Sequence, residues 1–191
     1  MVGYFKYYII EIDEVRSTIK HLSEKYKEIE EYLGYGEMSF EQERRLVGEH
    51  LSSKAFVVVC YSILEKVLLS ACGNISTNKK SDYGNFSKMI DYISSTSKIN
   101  IRTVKNYNEI NFWKHIRNCI VHNNGITNVY FKKNQHLFVK YNLDNSLFFD
   151  LNHALKMCDT AEAFLDDLYD KLEDKWVYDK GMERFLKEWQ R

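Results

Sequence analysis

The 191-residue sequence contains no proline, although an average composition of about 5% would place roughly ten in a chain of this length. Proline interrupts helices because it lacks the backbone N–H and its ring clashes with the preceding turn. Its absence allows long helices to run without a break. The apolar and charged contents, 45% and 28%, are those of an ordinary globular domain.

The sequence also lacks any close spacing of its four cysteines. They stand singly inside apolar or helix-like stretches, at Cys60, Cys72, Cys119 and Cys158. Neither a disulfide framework nor a zinc ribbon has this pattern, so we expect reduced thiols. The first residues contain no apolar run before the acidic stretch that begins at Glu11. We therefore expect neither a signal peptide nor a membrane anchor, and predict a cytoplasmic protein.

Basic and acidic side chains cancel overall but are unevenly distributed. Residues 1–50 carry 7 basic and 11 acidic side chains, and residues 141–191 carry 7 and 12. Residues 51–100 carry 6 and 3, and residues 101–140 carry 7 and 1. The basic middle predicts a cationic surface there, whereas the neutral total predicts no strong nonspecific affinity for RNA.

Apolar residues follow one another by threes and fours from Phe5 to Leu33, which predicts an amphipathic helix that ends at the glycines 34 and 36. This stripe is covered either by the chain's own bundle or by a second subunit. A second helix is predicted to begin at Ser39, with Gln42 as its capping-box partner. Its apolar stretch, residues 55–64, predicts the buried centre of a bundle.

Further patterns predict a short helix around residues 86–93 and another around 110–120. The apolar runs 129–131 and 137–141 flank polar residues and predict a small β-hairpin. A closing helix is predicted to start after Asp150 and to reach position 176. We therefore predict a single all-α domain over 1–191, with an N-terminal helix (1–36), a bundle core (39–175) and a helical extension (176–191).

The strongest chemical signal lies at the end of the fourth predicted helix. Arg117 is followed by the amide Asn118, and His122 stands just before an Asn-Asn-Gly stop. Arginine can stabilise negative charge on a phosphate, and histidine can move protons near neutral pH. Positions five apart in a helix point about 140° from each other. Arg117 and His122 therefore converge only at a frayed helix end or across a symmetric interface, which favours a composite site in a homodimer.

Arg117, Asn118 and His122 match the Arg-x4-6-His motif, with a polar residue after the arginine, and the sequence resembles the HEPN superfamily on this basis. The resemblance extends more loosely over residues 39–175. It implies a bundle of long antiparallel helices that dimerises through the motif helices. It also implies an endoribonuclease of a toxin–antitoxin or anti-phage defence system, with an antitoxin or another defence protein as a further partner.

The resemblance also implies roles for the three motif residues. His122 would act as general base or acid at the ribose 2′-hydroxyl, Arg117 would stabilise the charged phosphorane, and Asn118 would orient the phosphate or His122. The products would be a 2′,3′-cyclic phosphate and a 5′-hydroxyl, with no metal and no cofactor. One HEPN subgroup, which is regulated by nucleotidylation, carries a tyrosine two residues after the histidine. Asn124 stands at that position here, so we do not expect this regulation. Other HEPN-like domains are silent scaffolds or nucleotide binders, and this remains the alternative function.

Several other residues are candidates for supporting roles. Glu65 lies in the apolar stretch of the second helix, where it either steadies Arg117 across the bundle or dimer or reaches solvent at the helix edge. Four lysines are candidates for phosphate contacts, although a solvated polar face explains them equally well: Lys114, Lys132, Lys133 and Lys140.

Two competing uses of the motif helix remain open. His115, Cys119 and His122 form one stripe of zinc-type ligands, but three successive turns span about 10 Å, too far for a single ion without local unwinding. Cys119 could also serve as a nucleophile, but its sequence context offers no evident oxyanion hole, which favours a buried thiol. The many tyrosines and phenylalanines fall mostly on apolar stripes, which predicts core positions rather than base-stacking platforms.

Overall fold

The fold is all-α over the residues that the structure, a computed structural model, describes: 2–33, 39–75, 85–122, 134–143 and 147–178. No strand is present among them. The elements, in chain order, are α1 (Val2–Leu33), α2 (Phe40–Ile75), α3 (Phe86–Ser97), a 3-10 turn (Ile101–Thr103), α4 (Tyr107–His122), α5 (Gln135–Tyr141) and α6 (Leu151–Tyr178). The predicted helical class is thus confirmed for the described residues.

Helices α1, α2 and α6 form the central bundle, and α3 and α4 pack on α2. Arg45 of α2 pairs with Glu30 of α1, near the loop that joins the two helices, so α1 and α2 run antiparallel. By contrast, α2 and α6 run in the same direction. His50 of α2 lies at the start of α6, and about ten residues further along each helix Cys60 lies close enough to Cys158 to affect its pKa. The prediction of antiparallel long helices therefore holds for α1 and not for the α2–α6 pair.

The amphipathic stripe of α1 is covered by the chain itself. Ile12 and Ile19 are completely buried, and α1 packs on both α2 and α6. Buried residues from all six helices belong to one hydrophobic cluster. Of the two expectations for this stripe, the described residues fit internal packing. All four cysteines are buried and unbridged, as the sequence predicts.

The ends of the long helices are fixed by the polar residues that the sequence singles out. The Ser39 amide donates to Gln42 Oε1 at 2.7 Å, and the Gln42 amide donates to Ser39 Oγ at 3.3 Å. This reciprocal pair is a capping box, which supplies partners for amides that the first turn of a helix leaves free. At α6, the His153 amide donates to Asp150 Oδ1 at 3.0 Å. Both predicted helix starts are confirmed.

The β-hairpin prediction is wrong in its second half. Residues 137–141 lie in helix α5, which buries Leu137, Phe138 and Tyr141 and leaves Val139 72% exposed. A strand would have placed residues 137, 139 and 141 on one face, whereas the buried set follows the helical period. The run 129–131, predicted as the first strand, lies outside the described residues.

Helix α2 is the most apolar element of the bundle. Between Phe40 and Gly73 it contains a window of mean hydropathy 1.9, long enough by length and composition to cross a membrane, and half of that window is buried inside the protein. The core helix of a soluble bundle meets the same criterion when it is buried on one face only. The predicted cytoplasmic location therefore remains a prediction.

Candidate functional site

The motif lies on α4, which is anchored by the apolar residues that precede it. Ile110, Trp113 and Ile116 are completely buried. Position 117 is displaced by about 100° from position 116 around the helix, so Arg117 emerges at the flank of α4 that faces α2. Its side chain is 25% exposed. The core packing of α4 thus holds this arginine at the edge of the bundle.

Two polar groups hold the Arg117 guanidinium. Its Nη1 donates to the side-chain oxygen of Asn118 at 3.0 Å. Its Nη2 lies 3.8 Å from Glu65 Oε2, which makes an ion pair across α2 and α4. Glu65, 32% exposed, therefore contacts Arg117 within the same chain rather than pointing away into solvent. The 3.8 Å separation is too long for a hydrogen bond, so Glu65 neutralises the arginine without fixing its orientation.

A buried tyrosine completes this cluster. Tyr61 lies one turn before Glu65 on α2 and is 1% exposed. Burial raises the pKa of its hydroxyl, as does the charge of Glu65, while the charge of Arg117 lowers it. Among the described residues, neither Tyr61 Oη nor Arg117 Nε has a hydrogen-bond partner, and both atoms are buried. Tyr61 was not among the predicted site residues. Its i, i+4 spacing to Glu65 was the sequence signal that places it beside that residue.

His122 is not brought to Arg117 within one chain. The helix α4 continues to His122, whose side chain is exposed, and the neighbouring Val121 is 47% exposed. His122 lies five positions after Arg117 on this helix, and this spacing turns the two side chains about 140° apart. The two functional side chains therefore leave α4 in different directions, and an exposed apolar residue lies between them.

The candidate phosphate-binding lysines differ in their surroundings. Lys114 Nζ donates to Ser87 Oγ at 2.9 Å and lies 5.4 Å from the centroid of the Phe86 ring. One turn before Arg117, it adds a second cation to the same flank of α4. Lys140 Nζ, by contrast, donates to Glu109 Oε1 at 2.7 Å, which neutralises it locally. Lys132 and Lys133 lie outside the described residues.

The geometry does not support the two alternative hypotheses for the motif helix, a zinc site and a Cys119 nucleophile. No group of three metal-ligating side chains is close enough to hold an ion in the described part of the chain, His115, Cys119 and His122 included. Cys119 is 8% exposed, and burial raises its pKa, which favours the unreactive thiol over the thiolate. Burial and then the charge of Lys114 lower the pKa of His115, which favours its neutral form.

A surface cleft of about 380 Å³ lies on α6, away from the motif. Asp159, Glu162, Asp166 and Asp170 line it, and Lys105 is the one basic residue there. Burial, followed by the charges of Glu162 and Asp170, raises the pKa of Asp166. A cleft with this excess of carboxylates repels phosphate and other anions.

Comparison with known proteins adds no relative to this picture. No family model, no curated protein and no solved structure matches the chain.

Proposed function

We propose that this chain is a metal-independent endoribonuclease of the HEPN type. It would act as a homodimer and serve as a toxin or anti-phage defence effector. The support comes from the cluster on α4. A cationic flank contains Arg117 and Lys114, and an exposed histidine stands at the end of the same helix. A guanidinium can stabilise the charge, and an imidazole can transfer the proton, in phosphodiester cleavage by a 2′-hydroxyl.

The observation that carries the dimeric form of the proposal is the regularity of α4. Because α4 remains helical through His122, Arg117 and His122 of one chain point about 140° apart. A single phosphate cannot contact both side chains in this arrangement. A symmetric pair of α4 helices would set Arg117 of one copy beside His122 of the other, and the exposed Val121 would be covered between them.

In the proposed reaction the nucleophile belongs to the substrate. His122 removes the proton from the ribose 2′-hydroxyl, and the 2′-oxygen forms a bond to phosphorus. The bond from phosphorus to the 5′-oxygen breaks, that oxygen takes a proton from water, and the resulting hydroxide receives the proton held by His122. Arg117 stabilises the additional negative charge on the phosphorane, with Asn118 fixing the guanidinium through the 3.0 Å hydrogen bond. The products are a 2′,3′-cyclic phosphate and a 5′-hydroxyl.

The first test is cleavage of total cellular RNA in EDTA by wild type, Arg117→Ala and His122→Ala. We expect cleavage with cyclic 3′ ends for wild type alone. Matched controls are Arg102→Ala in the 3-10 turn and His21→Ala on α1, which replace exposed residues of the same kinds away from α4. Cleavage that survives in both motif variants would refute the mechanism. RNA binding without product would favour the silent module instead.

The second test distinguishes a composite site from a site within one chain. The Arg117→Ala and His122→Ala proteins are each inactive, but a mixed dimer contains one intact site, formed by Arg117 of one copy and His122 of the other. Random assortment predicts recovery of about a quarter of wild-type activity on mixing. No recovery, in a sample in which subunit exchange is demonstrated by mass, would place both residues of a site in one chain.

A further inference from the structure

The face of α2 opposite α1 and α6 bears a row of side chains at three- and four-residue spacing, which is exposed in its first half and borders α4 at Glu65. We call this row the α2 seam; its members are Phe40, Arg44, Val47, Leu51, Ala55, Val58, Ser62, Glu65 and Leu69. Phe40, Val47, Leu51 and Leu69 are 68%, 57%, 59% and 51% exposed. Exposed large apolar side chains in a continuous row mark an interaction surface rather than scattered surface residues.

The seam is complementary to the seam of a second copy that runs in the opposite direction. Its centre lies between Lys54 and Ala55, and residues equally distant from that centre match in character. Across an antiparallel pair of seams the facing residues would be Phe40 with Leu69, Arg44 with Glu65, Val47 with Ser62, and Leu51 with Val58. Arg44 and Glu65, the one basic and the one acidic member of the seam, would thus form two facing pairs related by symmetry. Apolar residues fill most of the other facing positions.

We propose that the α2 seam is a self-association surface, occupied by the seam of a second copy that runs antiparallel. The opposite face of α2 is buried against α1 and α6, so α2 cannot leave the bundle to cross a membrane without exposing the core. Arg44 and Glu65 would lose hydration in a lipid surface, whereas a second copy supplies each with a partner of opposite charge.

The dimensions of the seam indicate an interface of modest strength. Leu69 lies 29 positions after Phe40, so the seam is about 44 Å long at 1.5 Å per residue. A single pair of helices of this length falls at the lower end of stable protein interfaces, so we expect a dissociation constant on the order of micromolar. Association should therefore depend on protein concentration over an accessible range.

Pairing through the seam does not build the proposed ribonuclease site. In such a pair the two copies of Glu65 would lie 21 residues apart along the helices, a distance of about 32 Å. The two Glu65–Arg117 ion pairs would be separated by a similar distance. The seam thus adjoins the Arg117 cluster at Glu65, but it does not include the exposed end of α4 at His122. It would, however, bring the partner's Arg44 next to Glu65, where a second guanidinium would compete with Arg117 for the same carboxylate.

Cysteine cross-linking tests both the surface and its register. In the full chain with Ala55→Cys, the two new thiols would lie about 1.5 Å apart along the helix axis, and mild oxidation should give a disulfide-linked dimer. The matched control is Val59→Cys, 46% exposed and one turn away, whose copies would lie about 13 Å apart and should not cross-link. The native cysteines, all buried, make wild type the blank.

A charge reversal provides the second measurement, by sedimentation at low salt. Arg44→Glu would face the partner's Glu65 and should weaken association on the order of tenfold, and adding Glu65→Gln should recover most of the loss. Equal cross-linking at positions 55 and 59 would indicate a parallel or nonspecific pair and overturn the proposal. A wild-type chain that stays monomeric at about 200 µM, well above a micromolar dissociation constant, would also overturn it. Neither measurement depends on ribonuclease activity.

Discussion

Arg16 and Arg117 both lie between helices, and their surroundings differ. Arg16 of α1, 16% exposed, pairs with Asp13, Asp159 and Glu162, so that α1 and α6 are joined by one cation and three carboxylates. Arg117 of α4, 25% exposed, has one amide partner and one carboxylate at 3.8 Å. Arg16 thus has three carboxylates around one cation, and Arg117 has a single carboxylate that is beyond hydrogen-bond distance.

The difference indicates which arginine is structural and which is available to a ligand. The pKa of Arg16 is lowered by burial, but Glu162, Asp159 and Asp13 outweigh that effect and leave it raised. Arg117 Nε is buried without a partner in the described part of the chain, as is the hydroxyl of Tyr61 beside it. A buried donor without a partner costs about 1–3 kcal/mol. Arg45 Nε and Trp113 Nε1 are in the same state, so the comparison of Arg16 with Arg117 depends on their carboxylate partners.

The largest expected effect is on catalysis. Replacing Arg117 with alanine should lower the cleavage rate by about 100- to 1000-fold, the loss typical of a group that stabilises transition-state charge. The free energy of unfolding should change by less than about 1 kcal/mol, because a loose, partly exposed ion pair contributes little. Single-turnover cleavage and urea denaturation measure the two quantities. A large loss of stability would mean that Arg117 is structural like Arg16.

The converse variant, Arg16→Ala, should lower the free energy of unfolding by about 2 kcal/mol, because three carboxylates lose their common cation. The estimate is below the value for fully buried pairs, since Asp159 and Asp13 are exposed at 69% and 54%. Cleavage by the folded fraction should persist. Lys25→Ala, which removes an exposed i, i+3 pair with Glu28, is the control and should have almost no effect. Equal losses in both variants would contradict the comparison.

A smaller effect of opposite sign is expected at Tyr61. The Tyr61→Phe substitution removes a buried hydroxyl without a partner and should raise the free energy of unfolding by about 1 kcal/mol. The same substitution at Tyr169, whose hydroxyl donates to Glu173 at 3.0 Å, should lower it slightly. Denaturation curves of the two variants provide the test. Destabilisation by Tyr61→Phe would mean that the hydroxyl has a partner in solution.

The smallest effect concerns pH and the bundle region. Burial, followed by the charge of Lys54, lowers the pKa of His50 from 6.5. The unfolded chain therefore binds the proton more readily, and the stability that neutral His50 contributes is complete above pH 6.5 and is lost as the pH falls through the folded pKa.

We expect His50→Gln to lessen the loss of stability between pH 7 and pH 5 by a fraction of 1 kcal/mol, since His50 is only half-buried. The exposed His21→Gln is the control and should leave the pH dependence unchanged. Thermal unfolding over this pH range measures both. An unchanged slope in His50→Gln would assign the acid sensitivity to other groups.

Local signals in the sequence predicted most of the helices but not their arrangement. Ser39 and Gln42 form the predicted capping box. In the predicted stripe of α1, Ile12 and Ile19 are buried, and Ile29 near the helix end is 43% exposed. The hairpin prediction failed at residues 137–141 because a run of five apolar or long side chains fits both periods, and only tertiary packing decides between them. The parallel course of α2 and α6 depends on contacts about 100 residues apart, which no local pattern contains.

The candidate site was predicted in part. Arg117, Asn118 and Glu65 were selected from the sequence, and the structure brings these three into contact. The sequence could not show that Tyr61 lies beside them, because its neighbours on α4 are more than 50 positions away. It also left open whether α4 would fray before His122; α4 is helical to that residue.

The start of α6 depends on α2. The amide of Leu151 donates to Glu49 Oε1 at 3.3 Å, and the amide of Phe149 donates to His50 Nδ1 at 2.9 Å. Two amides at this helix start thus have partners that lie 102 and 99 positions earlier in the chain. Such distant contacts form slowly, because a long loop must close before they contribute any stability. During synthesis, the first turn of α6 therefore acquires these partners only when it meets a helix completed about 100 residues before.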